Sequence, residues 1–347
     1  MKRTLQLILL LSVCMAVNGQ AATFHRPALN DDPMRHLDLI EPLGDGYIRV
    51  SGGVLDPAGK IYGVPGARDI KPYGPYFLVI GDRGDNLMRR DGSLVFERFY
   101  EGFAPIKNGF GKVYDQPDGE HGERQALFDM QGNILGGRWF QDVRPMQDGM
   151  AYVEYETGEG IIGANFIRAD GTLASAETLD FDEISDFSDG FALVRHNGRV
   201  FFVDKHFQPV SPTIYLDAKP FSEGFAAVLT RDIPGRKTLT VCGENCWRVV
   251  DTRFRLVGDL TFKCVEPYKE GFALVTNSNN LFNLLDSKGS LLLPRWHEFV
   301  SAFQEGLAIV GDAGRYTCID RQGEYISGQW YDQVWPFEDG YAMVKKT

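Results

Sequence analysis

A chain of 347 residues is long enough for a large core or for two domains, and 44% hydrophobic with 24% charged residues is a globular balance that excludes wholesale disorder. Its 47 acidic residues outnumber 36 basic ones, and the formal charge of −11 argues against nucleic acid or an anionic membrane as the main partner.

The chain starts with a targeting pattern. Lys2 and Arg3 precede an apolar run from Leu5 to Val17, about 13 residues against the ~20 that a spanning helix needs. Gly19-Gln20-Ala21 puts small residues where a signal peptidase reads them, which predicts cleavage after Ala21 and a periplasmic or secreted product. Val13 stands where a lipoprotein signal carries a small residue, and this argues against lipid attachment at Cys14. Residues 22–36 read as a short N-terminal segment and 37–347 as one repeat domain. No later stretch is long and apolar enough for a transmembrane helix.

A single phrase then recurs along the chain. Leu43-Gly44-Asp45-Gly46-Tyr47-Ile48-Arg49-Val50 is its first plain copy, 72–79 is degraded, and Tyr100-Glu101-Gly102-Phe103-Ala104-Pro105-Ile106 is close. Six clear copies begin at Met146, Phe187, Phe221, Tyr268, Phe303 and Phe337. They place glycine at Gly149, Gly190, Gly224, Gly271, Gly306 and Gly340, and alanine at Ala151, Ala192, Ala226, Ala273, Ala308 and Ala342. The glycine predicts a tight turn entering a strand. Alternation sets Phe191 and Leu193 on one face of that strand and Ala192 and Val194 on the other. A small residue kept at one slot predicts close approach of the neighbouring unit.

Between copies runs a second phrase, an acid followed three residues later by glycine, at Asp56–Gly59, Asp129–Gly132, Asp286–Gly289 and Asp320–Gly323. Looser versions fall at Arg89–Gly92 and Arg168–Gly171. Two more, from Asp204 and Asp251, end in Phe207 and Phe254, which predicts a different turn type there. Short aromatic and β-branched runs such as Trp139–Val143, Trp296–Val300 and Trp330–Val334 lead into the next copy and read as strands. No sustained helical period follows the signal, so the fold is all-β. Such units cannot bury their own apolar faces and must stack.

Together these phrases resemble the WG repeats of many bacterial proteins, over roughly residues 37–347. The slot that carries Trp in that family holds Val200, Trp247, Phe282 and Tyr316, and its Gly slot holds Phe201, Arg248, Asn283 and Thr317. No Trp-Gly dipeptide occurs, so the chain reads as a divergent member. The resemblance implies an array of about eight repeats of three to four short strands and no particular reaction. The extra strand phrase slightly favours an open solenoid over a closed β-propeller.

Four cysteines follow the signal. Cys242 and Cys246 bracket Gly243-Glu244-Asn245 between apolar runs, which predicts a hairpin tip closed by a disulfide. Cys264 and Cys318 sit in strand-like runs and read as buried small hydrophobes, with a bridge between them left open. The repeats differ mainly in length at 81–86, 107–124, 154–165 and 229–246. These stretches read as loops sharing one edge, where repeat proteins bind partners. Asp115, Asp118, Glu120, His121, Glu156, Glu159, Arg231 and Asp232 are the candidate contact residues there. The spacing fits no calcium loop, and the chain carries no H-E-x-x-H, no G-x-S-x-G and no phosphate loop. No metal or cofactor is expected. Arg83-Gly84-Asp85 spells an adhesion tripeptide and carries no weight at that length. The reading is an exported, non-enzymatic scaffold that binds a protein or envelope component. Its alternative is an extracytoplasmic glycan-active hydrolase using Asp118, Glu120, Glu156 and Glu159.

Overall fold

Each copy of the recurring phrase builds one small antiparallel sheet. The computed structural model describes residues 41–50, 53–116, 123–158, 160–231 and 245–346, so the expected signal segment lies outside the described residues. Among the described residues, the first sheet has four strands, Glu41–Gly44, Tyr47–Val50, Gly53–Leu55 and Ile61–Gly63. The next seven sheets have three strands each, and the ninth pairs Gln333–Val334 with Val344–Lys345. A 3-10 turn at Leu135–Gly137 is the sole helical piece among them. No sheet closes on itself, in keeping with an open array of β-repeats. The chain divides into two compact units, one ending at Pro145 and one beginning at Met146.

The phrase opens with a two-residue hairpin. At Asp189-Gly190 both φ angles are positive, 53° and 91°, and Ser188 and Phe191 exchange both backbone hydrogen bonds at 2.9 and 3.0 Å. This is a type I′ turn, whose twist matches the flanking strands and whose second position suits glycine. The same pair of positive angles recurs at Asp148-Gly149, Glu223-Gly224, Glu270-Gly271, Glu305-Gly306 and Asp339-Gly340.

The two faces of the strand then belong to two different cores. Ala192 and Val194 pack with Phe187 of their own repeat and with Met150, Tyr152 and Phe166 of the preceding one. Phe191 and Leu193 pack with Phe221, Ala226 and Val228 of the following one. Successive repeats of the second unit continue this alternation through Phe225 and Ala227 on Ala273 and Val275, then Phe272 and Leu274 on Ala308 and Val310. One ring pair marks each junction: Phe191–Phe221 at 5.0 Å, Phe225–Tyr268 at 4.5 Å and Phe272–Phe303 at 4.8 Å. Such pairs contribute about 0.5–1.5 kcal/mol beyond their buried area. Ala151, Ala192, Ala226, Ala273 and Ala308 are all buried, as a close-packed small slot requires.

The structure relocates one copy of the phrase. Glu101-Gly102 has no left-handed turn and lies at the start of the strand Gly102–Lys107. The turn is instead Asn108-Gly109, with φ of 51° and 81°, feeding the strand Phe110–Asp115. The copy is therefore Ile106-Lys107-Asn108-Gly109-Phe110-Gly111-Lys112-Val113, with Asn for the acid and Gly111 for the alanine. A Cβ on Gly111 would lie 2.0 Å from the Phe128 ring, so this slot is tighter than its alanine counterparts.

The acid turns share one geometry. Asp286 Oδ1 accepts the N–H groups of Lys288 and Ser290 at 2.9 and 2.8 Å, and Asp56, Asp129, Asp204, Asp251 and Asp320 do the same two and four residues on. Contrary to expectation, the turns ending in Phe207 and Phe254 keep this form. Their phenylalanines adopt φ of 61° and 58°. The strain is offset by packing, because Phe254 lies against Phe191, Phe202 and Phe221 and joins the core that they form.

A further device sits in the Gly slot of the family pattern. Asn283 is buried, and its amide donates to the carbonyls of Leu293 and Arg295 while its Oδ1 accepts from Leu284 and Leu293. Asn86 and Asn165 hold the equivalent stretches of their repeats in the same way.

Candidate functional site

Successive repeats of the second unit are tied by their turn carboxylates. Asp148 Oδ2 accepts the Gly190 N–H at 2.6 Å, and Asp189 Oδ2 accepts the Gly224 N–H at 2.8 Å. Glu223 accepts from both Glu270 and Gly271, Glu270 from Glu305 and Gly306, and Glu305 from Asp339 and Gly340. Asp reaches the glycine N–H alone, whereas Glu, one methylene longer, spans both N–H groups of the next turn. Two acid turns add cations to this line, Lys205 on Asp148 at 3.0 Å and Arg321 on Glu270 at 2.9 Å. Arg321 and the Gly306 and Glu305 N–H groups hold the Glu270 carboxyl below the usual glutamate range. The acid of the phrase is thus a structural link, and a row of five joins the repeats from Asp148 to Asp339.

Among the described residues, all four stretches expected as loops contain strand, and 81–86 joins the paired strands Tyr76–Gly81 and Gly84–Met88. Residues 107–124 contain Phe110–Asp115, which pairs with Gly102–Lys107 on one side and Arg124–Phe128 on the other. Asp115 is consequently buried and bonded to Arg98, and its carboxylate is committed to the fold. Residues 154–165 belong mostly to the hairpin of Met150–Glu156 and Ile162–Arg168, and the described ends of 229–246 lie in the paired strands Phe225–Arg231 and Asn245–Asp251. Glu156 is exposed near the tip of the first, where its Oε1 accepts the Gly160 N–H at 3.1 Å. Arg231 ends its strand opposite Asn245. Asp118, Glu120, His121, Glu159, Asp232 and Cys242 lie outside the described residues. Of the four carboxylates offered for hydrolysis, Glu156 is thus the one whose position is described.

The run Trp247–Val250 pairs with Ala226–Leu229 and buried Cys246 faces Thr230, while Leu239–Val241, Cys242 and residues 243–244 of the expected cysteine hairpin lie outside the described residues. Cys264 and Cys318 are free thiols and not bridged to each other, the first half-buried and the second buried.

Hairpin length is where the repeats of the second unit differ. The hairpins of Met150–Arg168 and Phe225–Asp251 have seven-residue strands, whereas Ala192–His196 and Arg199–Val203 have five each. The short hairpin packs between the long ones, through one core on each face. Counted from the turn glycine, one of the two extra residues lies at the outer end of each strand and carries the long hairpins roughly 3 Å further out. A step results above the Asn197-Gly198 turn of the short hairpin. His196 and Asn197 line it, with Asp182 accepting the Asn197 N–H at 2.7 Å, and Ile161 and Ile162 stand exposed on the neighbouring long hairpin.

Other chemistry-bearing groups are absorbed by the repeat. His297 is buried with its Nδ1 2.7 Å from Asp312. It occupies the bridge position that Tyr215, Phe262 and Tyr331 hold in other repeats. Burial pushes Asp312 up, but the Glu298 N–H and His297 outweigh it and hold its carboxyl below the ordinary value. Burial raises the Cys264 thiol, and its hydrogen bond to Glu266 adds to this against the nearby Lys219, so the thiolate is disfavoured. Among the described residues, no group of three or more His, Cys, Asp or Glu could hold a metal ion, and no helix is long and apolar enough to cross a membrane.

These features define the class: an all-β repeat protein whose conserved-looking residues serve its own junctions. The family model described as WG containing repeat matches residues 178–199, 201–232 and 316–347, so the chain carries WG-type repeats there. No curated protein matches it. Among solved structures, a computationally designed protein, Ika8, is 11% identical with a TM-score of 0.37 over 79% of this chain and 91% of its own. BamB from Moraxella catarrhalis is 11% identical with a TM-score of 0.32, covering 75% of this chain and 86% of that one. A eukaryotic initiation factor is 8% identical with a TM-score of 0.35, covering 86% and 96%. Likeness of this size assigns neither topology nor activity.

Proposed function

We propose that this repeat protein is an exported, non-enzymatic scaffold that holds a protein or cell-envelope component on the hairpin edge of its second unit. The observation that carries the reading is the division of labour among its residues. Acids, glycines and alanines are consumed by turns and repeat junctions and buried asparagines by their own repeats, while hairpin length and tip composition vary freely over them. Variation on a rigid frame is how repeat proteins acquire binding surfaces. The step over Asn197-Gly198, with apolar Ile161 and Ile162 beside it, suits a partner that is itself partly apolar.

Export rests on Lys2, Arg3 and the apolar run to Val17. An oxidising compartment would join Cys242 to Cys246, four residues apart in the chain. Thiol titration of the unfolded, unreduced mature protein should then find two free thiols, from Cys264 and Cys318. A count of four would remove the bridge.

The partner reading is tested by trimming the Met150–Arg168 hairpin to the length of its neighbour and closing it with Asn-Gly. Pull-down from envelope extract should lose its partner while the melting temperature stays near that of the parent. Undiminished recovery would sink the assignment of that edge. Deleting residues 107–124 is not a usable test, because it removes a core strand.

A further inference from the structure

A basic, an acidic and a sulfur side chain meet where two repeats of the second unit join. Lys219 directly follows the strand Asp217–Ala218, and Glu266 directly follows the equivalent strand of the next repeat, Cys264–Val265. The Lys219 ammonium donates to Glu266 Oε2 at 2.6 Å, and Cys264 Sγ donates to Glu266 Oε1 at 3.3 Å. One carboxylate thus holds both groups, and Lys219 Nζ stands 3.8 Å from Cys264 Sγ. The Trp247 ring, 5.8 Å from Nζ, flanks the cation. In the other two-residue strands at this place of the repeat, the first residue is Asp142, Glu183, Asp217, Phe299 or Gln333, so the repeat itself does not call for sulfur there. The Cys264 thiol is only half-buried, within reach of a small oxidant.

We infer that Lys219 and Cys264 are a modification site, joined through a sulfenamide S–N bond when hydrogen peroxide oxidises the thiol. The Cys264 sulfur attacks one peroxide oxygen, the O–O bond breaks, and a sulfenic acid and water result. Glu266 is placed to take the thiol proton in that step and to pass it to the departing hydroxide. This matters because burial and the same hydrogen bond keep the resting thiol protonated. Lys219 then gives a proton to Glu266 within their ion pair, and the neutral amine attacks the sulfenic sulfur. The S–N bond forms, the S–O bond breaks, and the hydroxyl leaves as water with the proton from Glu266. The extra proton left on nitrogen goes to solvent. One thiol, one ammonium and one peroxide thereby give the S–N bond, two waters and one proton. Sulfur loses two electrons and the peroxide gains them. The bond ties residues 45 apart in the chain and fastens one repeat covalently to the next. It depends on neither the partner nor the export proposed above.

Peptide mass spectrometry of the purified protein after treatment with excess hydrogen peroxide tests the inference, with denaturation and digestion done without reductant. The parent should yield a joined pair of peptides, one with Lys219 and one with Cys264, lighter than their sum by two hydrogens. Dithiothreitol should release both peptides and restore the thiol. Lys219→Arg keeps a cation beside Glu266 and should melt near the parent, but it offers no amine. Its Cys264 should end as a sulfinic acid with no joined pair. Cys318, buried with Ile309 and Phe337, should stay a thiol in the folded parent. A parent whose Cys264 is oxidised without a joined pair, or stays reduced throughout, overturns the inference. So does a link from Cys264 to some other lysine, or an equal yield of the Lys219 link from protein unfolded in urea, since the fold would then not be what brings the two groups together.

Discussion

Glu270 Oε2 accepts the main-chain N–H of Gly306 at 2.8 Å, and the two residues belong to successive repeats. Replacing Glu270 by Gln keeps an acceptor but removes its charge toward two N–H groups and Arg321. The expected loss is about 1 kcal/mol, the scale of a charge-assisted hydrogen bond that is partly solvated. It should also depend on pH. Arg321 and the two amides lower the folded-state pKa of Glu270 below its ordinary 4.5. The resulting stability is present above the ordinary value and is lost as pH falls through the lowered one. The melting-temperature gap between parent and Glu270→Gln should therefore close on acidification; a gap constant from pH 7 to pH 3 would contradict the link.

Asp189 invites the opposite change. Its carboxylate reaches Gly224 N–H but is one methylene short of the span that Glu223 achieves. Asp189→Glu should engage the Glu223 N–H as well and stabilise the junction by about 0.5–1 kcal/mol. Thermal melting decides it, and a lower melting temperature would mean that this junction has no room for the longer side chain.

Ala192 lies fully buried against the preceding repeat, whereas Ala342 is half-exposed. Ala192→Leu should cost roughly 1–3 kcal/mol by overpacking, and Ala342→Leu far less. Urea titration of the two variants would show the difference. Equal midpoints would mean that the small slot is not set by the neighbouring repeat.

Phe254 combines a left-handed backbone with a ring in the core between Phe191 and Phe221. Both Phe254→Ala and Phe254→Gly lose the ring. Glycine alone also relieves the backbone, so the Gly variant should be the more stable of the two by about 1 kcal/mol. Elsewhere in a protein the order is usually the reverse, and observing that usual order here would show that the turn relaxes once the ring is gone.

Much of this architecture is legible in the residues themselves. Gly190 marks a hairpin, Ala192 a tight slot, and the alternation around them correctly assigns each side chain to one of two cores. The carboxylate links are hidden because the partner of Glu270 lies 36 residues away in the chain, and a recurring acid beside glycine looks like ordinary turn chemistry. Asn283 is hidden for a related reason, since its carbonyl partners lie past the next turn and, among the described residues, Asn86 and Asn165 alone repeat its role. The copy at Ile106–Val113 escapes notice because Asn108 and Gly111 replace the two residues that identify the others, while Glu101-Gly102 imitates them nearby. Residues 107–124 then read as a loop, and Asp115 as a surface acid. The candidate contact surface is the least legible part, because strand length, not residue type, creates the step above Asn197-Gly198.

The row of carboxylates has a consequence for how such an array can grow. Each of these junctions of the second unit presents a carboxylate forward and the main-chain N–H groups of a turn behind, whatever the number of residues between them. Excising the stretch from Phe221 to Pro267 would bring Asp189 before the Glu270-Gly271 turn, and the seam would need no new chemistry. Whole modules can therefore be gained or lost by recombination without redesigning a joint, so that length becomes a heritable variable separate from stability.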